Sequence, residues 1–145
     1  MRLLKDFLLA LPVVVFLLSG WASAEECSST AKIDDTTRKF SVVLQKVSGI
    51  EDQAFDDIGC AVVSRNNECA MRQGMIDSNA VAYDYQTGDP VPVEKAYFVL
   101  RTDVKTTQGY GIVAFKDKAQ AEDFSATHGK GKVVKWYQLV DETLK

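Results

Sequence analysis

Two segments of this chain share a pattern that fixes the order of its structure. AFDDIGCAVV, starting at Ala54, and AFKDKAQAED, starting at Ala114, each place an Ala-Phe pair at the end of a predicted strand, with an aspartate, Asp57 or Asp117, two residues after the phenylalanine. Aspartate is a favourable residue at a helix N-terminus, because its carboxylate accepts hydrogen bonds from free backbone amides and opposes the positive end of the helix dipole. The pattern predicts that a strand leads into a helix in each half of the chain.

The residues around these two segments predict the same order of elements twice. β-branched and aromatic residues in short runs indicate strands, and Gly74 and Gly129 are suitable helix terminators. We therefore predict an α+β fold over residues 38–145, with two ββαβ modules whose antiparallel or mixed sheet packs on two helices. The predicted elements are strands at 38–47 and 53–55, a helix at 58–72 and a strand at 79–85, then strands at 96–101 and 111–116, a helix at 117–128 and a strand at 132–139.

The first 24 residues have the three parts of a secretory signal peptide. Arg2 and Lys5 are basic, residues 7–18 are apolar, and Ala22-Ser23-Ala24 supplies small residues before a cleavage site. The apolar run is shorter than the roughly 20 residues that span a bilayer as a helix. We expect export to the periplasm or beyond, cleavage near Ala24, and a soluble chain with no stable membrane anchor.

A lipid anchor is disfavoured by one residue. Leu18-Ser19-Gly20 resembles the box that precedes a lipid-bearing cysteine, but Trp21 occupies the position of that cysteine. After cleavage, residues 25–37 are mostly Ser, Thr, Asp and Lys with one apolar residue, Ile33. Such a composition buries little apolar surface, which predicts a loose N-terminal arm.

Charge argues against a nucleic-acid partner. Removal of residues 1–24 takes away two basic residues and one acidic residue, and leaves 15 basic and 19 acidic residues. Binding to phosphate backbones depends on a basic face, which neither this balance nor any basic cluster supplies.

The three cysteines of the mature chain, Cys27, Cys60 and Cys69, allow several states. Cys60 and Cys69 are nine residues apart in one predicted helix, so they point to different sides and cannot bond within a straight helix. Cys27 can form a disulfide with either of them. An intermolecular disulfide, or three thiols kept reduced or bound to metal, are the alternatives.

Other soft donors lie close to Cys69. Cys69, Met71 and Met75 offer a thiolate and two thioethers, a donor set suited to Cu(I), although the helix would have to unwind before Gly74 for them to converge. The alternative is that they fill gaps in a core. His128 is either a helix-end residue or a metal ligand. No segment has the turn signature of a catalytic nucleophile, so we expect a protein that is not an enzyme.

Five segments of the chain stand out as a set: FDDIGC at 55–60, AYDYQTG at 82–88, EKAYFV at 94–99, GIVAF at 111–115 and THG at 127–129. Together they resemble the NosL family, exported copper-binding accessory proteins of nitrous oxide reductase assembly. The resemblance implies two ββαβ modules, a Cu(I) metallochaperone function and a copper enzyme, such as nitrous oxide reductase, as client.

The chain departs from this family at the soft ligands. NosL proteins usually begin with Cys-x-x-Cys-Gly-Met or Cys-x-Met, where this chain has Cys27 followed by Ser28-Ser29-Thr30. A methionine in a Gly-Pro-Met-Gly turn corresponds to Gln108. Two hypotheses follow: Cys27 binds Cu(I) with Met71, Met75, Cys69 or His128, or the chain is a divergent periplasmic binding or assembly module of the same fold that binds no metal.

Overall fold

The computed structural model describes residues 27–45 and 51–144. The predicted signal peptide, residues 1–24, lies outside these residues. Within them, no helix has the length and hydrophobicity that a bilayer-spanning helix needs. The elements are β1 (Val42–Leu44), β2 (Gln53–Phe55), α1 (Ile58–Asn66), α2 (Ala70–Asn79), β3 (Ala80–Tyr83), β4 (Pro90–Pro92), β5 (Tyr97–Val99), β6 (Val113–Phe115), α3 (Lys118–Thr127), β7 (Val133–Lys135) and α4 (Trp136–Leu139).

The strands form two antiparallel sheets, which confirms the predicted α+β class. One sheet has the order β2-β1-β3-β4 and the other β6-β5-β7. In each sheet the first strand of the module is central, the second lies on one side, and the strand that follows the helices lies on the other. The two halves of the chain therefore repeat one ββαβ arrangement, and β4 is an addition to the first.

The three-stranded sheet is buried on both faces, and this explains its continuous apolar sequences. Phe98 of β5 pairs with Ala114 and Val134, and these side chains face a large core shared with the other sheet. The adjacent Val99 and Val113 face a smaller core, where α3 contributes Ala121 and Phe124. Burial on both faces accounts for the lack of alternation in β6, where all three residues are buried.

The outer strand of each sheet also makes one parallel bridge to the segment that precedes its module. Thr30 bridges Ala54 of β2, and Asp84, which follows β3, bridges Ala114 of β6. The amide of Ala31 donates to the Ala54 carbonyl at 2.9 Å, and the amide of Tyr85 donates to the Ala114 carbonyl at 2.8 Å. The second bridge joins the two sheets.

The first bridge corrects the expectation of a loose arm for the part of residues 25–37 that the structure describes. Residues 29–31 pair with β2, and Asp34 closes a turn in which hydrogen bonds from the Thr36 hydroxyl and from the Thr37 and Thr36 amides lower its pKa to about 2. Backbone pairing at a sheet edge requires little apolar surface, and composition therefore did not reveal it.

The prediction of one helix over residues 58–72 is wrong, because the structure has two helices there, α1 and the start of α2. Gly74 lies within α2 and does not end a helix. The chain turns at residues 67–69, where the Gln73 side-chain amide donates to the Glu68 carbonyl at 2.9 Å. Arg65 of α1 then pairs with Asp77 of α2 at 2.6 Å. The break turns the chain so that Ile76 reaches the large core.

Three further differences involve tertiary contacts or proline. The strand predicted at 38–47 is a 3-10 turn at Arg38–Phe40 followed by the shorter β1, and residues 46–47 lie outside the described part.

β4 was not predicted, because its two prolines suit only an edge strand. Predicted strand 132–139 ends at Lys135 and continues as α4, since Trp136 and Leu139 enter the large core and the Trp136 indole donates to Asp77 at 2.7 Å.

Asp84 is a buried carboxylate at the junction of the two modules. Its Oδ1 accepts from the amides of Gln86 and Thr87, each at 2.9 Å, and its Oδ2 accepts from the Lys116 amide at 2.8 Å. Burial raises the pKa of Asp84, but the hydrogen bonds to its ionised form outweigh burial and lower the pKa below the usual 3.8.

We predict that Asp84→Asn lowers the free energy of unfolding at pH 7 by roughly 3 kcal/mol, because the amide nitrogen faces backbone donors. The folded-state pKa of Asp84 is depressed, so its stabilisation is present above pH 3.8 and is lost as the pH falls through that lower pKa. Urea unfolding at several pH values between 7 and 2 should therefore show the two proteins converging in acid.

Asp123→Asn, on the exposed side of α3, is the matched control and should change stability by less than about 0.5 kcal/mol. A difference between wild type and Asp84→Asn that stays constant down to the lowest pH would contradict the assignment.

Candidate functional site

The N-terminus of α1 lies where the two modules meet, and Asp57 organises it. Asp57 is the N-cap, fully buried, and its Oδ1 accepts from the Gly59 amide at 2.9 Å. Its Oδ2 accepts from the Thr106 hydroxyl at 2.6 Å and from the Gln108 amide at 2.8 Å. One carboxylate of the first module thus holds a loop of the second module, residues 102–111, against the helix end.

The 102–111 loop is closed by its own hydrogen bonds. The Thr102 hydroxyl donates to the Gly111 carbonyl at 2.8 Å, and the Gly111 amide donates to the Thr106 hydroxyl at 3.0 Å. Gly109 has a φ of +82°, a conformation that favours glycine. These bonds fix the main chain of Gln108, the residue at which the resemblance to NosL proteins implies a soft donor.

Cys27 and Cys60 form a disulfide in front of this loop. Their Cα atoms are 5.2 Å apart, Cys60 is the third residue of α1 and is buried, and Cys27 is exposed. The bridge at Thr30 carries the N-terminal segment along β2 towards the first turn of α1, which explains why Cys60 is the partner. Of the two predicted pairings the structure has the one with Cys60, and Cys69 is free and exposed.

Tyr110 packs beside the disulfide, and sequence reasoning assigned it no role there. Its hydroxyl lies 4.0 Å from the Cys27 sulfur. A Cβ atom on Gly59 would lie 2.1 Å from Cγ of the Tyr110 ring, so the ring occupies the space that the glycine leaves. The available signal was Gly59 itself, because glycine is a poor helix former at a position that no turn explains.

The other predicted metal donors do not join Cys27 in a ligand set. Met71 is 75% exposed on α2, Met75 packs against the large core, and Cys69 is the N-cap of α2. Because the helix breaks before Cys69 and does not unwind before Gly74, the two methionines remain on an intact helix.

His128 is the C-cap of α3. Its ring stacks on Phe124 with 4.1 Å between centroids, and its Nδ1 lies 3.1 Å from an oxygen of Asp103. Within residues 27–45 and 51–144, no three His, Cys, Asp or Glu side chains form a metal-binding group. While Cys27 and Cys60 are bonded to each other, their sulfurs cannot act as thiolates, so this state does not suit Cu(I).

We predict opposite effects of alanine at two helical glycines. Gly59→Ala should lower the free energy of unfolding by about 1–3 kcal/mol, because the new methyl group overlaps the Tyr110 ring. Gly74→Ala, in α2 with no atom within 4 Å of the new Cβ, should raise it by about 1 kcal/mol. Thermal unfolding of the oxidised proteins measures both, and equal shifts in the two variants would contradict the Gly59–Tyr110 contact.

Comparison with protein families matches residues 28–144 to NosL. Comparisons with curated proteins and with solved structures give no significant match. The family match begins one residue after the disulfide-bonded Cys27 and covers both modules and the 102–111 loop. Because it extends over most of the chain, this protein belongs to the NosL family of accessory proteins.

Proposed function

We propose that this chain is an exported accessory protein that binds Cu(I) between Cys27 and Cys60 when their disulfide is reduced. The observation that carries this proposal is the meeting of the two cysteines at the N-terminus of α1, with Cα atoms 5.2 Å apart. At that separation both sulfurs can reach one ion. Thiolates are the protein ligands that Cu(I) prefers.

The proposed cycle begins with thiol–disulfide exchange. A dithiol reductant supplies two electrons and two protons, its own sulfurs become a disulfide, and Cys27 and Cys60 become thiols. Cu(I) then displaces a proton from each thiol. The helix dipole at the N-terminus of α1 favours the negative charge of the Cys60 thiolate.

Delivery of the ion requires an accessible ligand. Cys27 is exposed whereas Cys60 is buried, so an incoming sulfur ligand from a client copper enzyme meets Cys27 first. Exchange of one ligand at a time moves the ion without releasing it to solvent. Nitrous oxide reductase is the client that the resemblance implies.

A second candidate function follows from Gln108. Its side chain is an amide, a hard donor, at the position where the family usually has a thioether. In addition, Cys27 and Cys60 are bonded to each other as a disulfide. In this alternative the chain is a periplasmic binding or assembly module, and the disulfide is a permanent cross-link. Closing a loop with a sequence separation of 33 would stabilise the fold by roughly 3–4 kcal/mol.

Anaerobic titration with Cu(I) against a chromophoric chelator separates the two functions. We predict one tightly bound ion per chain for the reduced protein and none for the oxidised protein. Cys27→Ser and Cys60→Ser should each lose tight binding. Cys69→Ser is the matched control and should keep it, because Cys69 lies at the start of a different helix. A folded, fully reduced wild type without tight binding would exclude the copper function.

Export is tested by fractionating cells that produce the protein. We predict that the protein accumulates in the periplasmic fraction with the intact mass of residues 25–145. Ala22→Arg and Ala24→Arg, which spoil the small residues before the cleavage site, should retain the precursor. Recovery of the unmodified chain at full length from the cytosol would contradict the proposal.

A further inference from the structure

A cavity of about 450 Å³, lined in part by Tyr110, contains neither cysteine of the preceding proposal in its wall. It is formed between the ends of β5 and β6 and the C-terminal segment 142–144. Its volume falls within the range of small-molecule sites in proteins. The residues that line it are Leu100, Arg101, Tyr110, Ile112, Glu142, Thr143 and Leu144.

Part of the wall is apolar and continuous with the large core. Leu100 and Ile112 are buried members of that core, and Tyr110 and Leu144 pack against it. An apolar group in the cavity would therefore lie on a preformed apolar surface. Removing such a group from water is favourable in proportion to the area covered.

The two charged side chains of the wall, Glu142 and Arg101, differ in whether they form an ion pair. Glu142 accepts a hydrogen bond from Lys132 at 2.7 Å, and this bond, the charge of Lys132 and the charge of Arg101 lower the pKa of Glu142. Glu142 is thus ionised and already paired. Arg101 is exposed and has no ion pair within the described part of the chain. The guanidinium of Arg101 therefore acts on Glu142 only through its charge, and among the described residues no ion pair occupies its N–H donors, which can bind an anion.

The backbone at Arg101 has a conformation that is unusual for a residue other than glycine, and Lys130 shares it. The φ of Arg101 is +56°, in the left-handed region that glycine and asparagine occupy most easily. An arginine there costs about 1 kcal/mol relative to glycine. This placement turns the chain directly after β5 at the mouth of the cavity.

We propose that this cavity binds a small amphipathic organic anion. The carboxylate of the ligand pairs with the guanidinium of Arg101 and accepts from the Thr143 hydroxyl, and its apolar body lies against Leu100, Ile112 and Leu144. Arginine suits this contact because its planar donors match a carboxylate. The proposal does not rest on copper binding, although the ligand would touch the Tyr110 ring that packs beside the disulfide.

NMR titration of the oxidised, ¹⁵N-labelled protein with two matched probes tests the inference. 4-Phenylbutyrate and 4-phenylbutan-1-ol share one apolar body and differ in charge. We expect the acid to shift the amide signals of Leu100, Ile112, Thr143 and Leu144, and to bind about tenfold more tightly than the alcohol, the effect of one charge-assisted hydrogen bond. This comparison uses the unmodified chain and does not depend on a variant that folds.

Substitutions then identify the residue whose charge makes the acid bind more tightly than the alcohol. Arg101→Gln should abolish the difference between acid and alcohol, whereas Arg38→Gln, which removes an exposed arginine from the 3-10 turn, should leave it unchanged. Glu142→Gln should tighten binding of the acid, because it removes the negative charge from the wall. Equal affinity for the two probes, shifts scattered away from the cavity, or an unchanged preference in Arg101→Gln would overturn the inference.

Discussion

Two buried carboxylates hold the modules together. Asp57 caps α1 in the first module and accepts from Thr106 and Gln108 in the second, and Asp84, at the end of β3, accepts from the Lys116 amide after β6. A buried carboxylate is tolerated only when its oxygens are satisfied, so each of these residues requires the other module to be in place. The two sheets can share one core because these hydrogen bonds set their relative position.

The cysteine pair, Tyr110 and the cavity all lie close to this junction. The first turn of α1 carries Cys60, the bridge to β2 brings Cys27 over it, and the 102–111 loop places Tyr110 against Gly59. The same tyrosine also lines the cavity beside residues 142–144. The cysteine pair belongs to the first half of the chain and the residues that line the cavity belong to the second, so the docking of the two modules is what brings them close together.

The predictions from sequence were accurate where interactions between residues close together in the chain determine the structure. Asp57 and Asp117 cap their helices, and β2 has the predicted bounds. α3 ends at Thr127 with His128 as its C-cap, before Gly129, whose φ is +90°. The predictions failed where distant contacts decide. α2 is separate because Arg65 meets Asp77, and α4 replaces a strand because Trp136 reaches the same aspartate. Neither pair follows from helical periodicity, since Arg65 and Asp77 are 12 residues apart on two helices and Trp136 and Asp77 are 59 residues apart.

The sequence by itself determined the α+β class and the repeated strand-to-helix junctions, because periodicity and capping act between residues close together in the chain. It also carries the segments that resemble the NosL family. Only the tertiary structure decided that Cys27 pairs with Cys60 and leaves Cys69 free, that Tyr110 lies beside Cys27, and that the Gln108 amide binds Asp57. A disulfide requires two Cα atoms within a few ångströms of each other. That distance depends on how β2, α1 and the 102–111 loop pack, which no spacing between cysteines records.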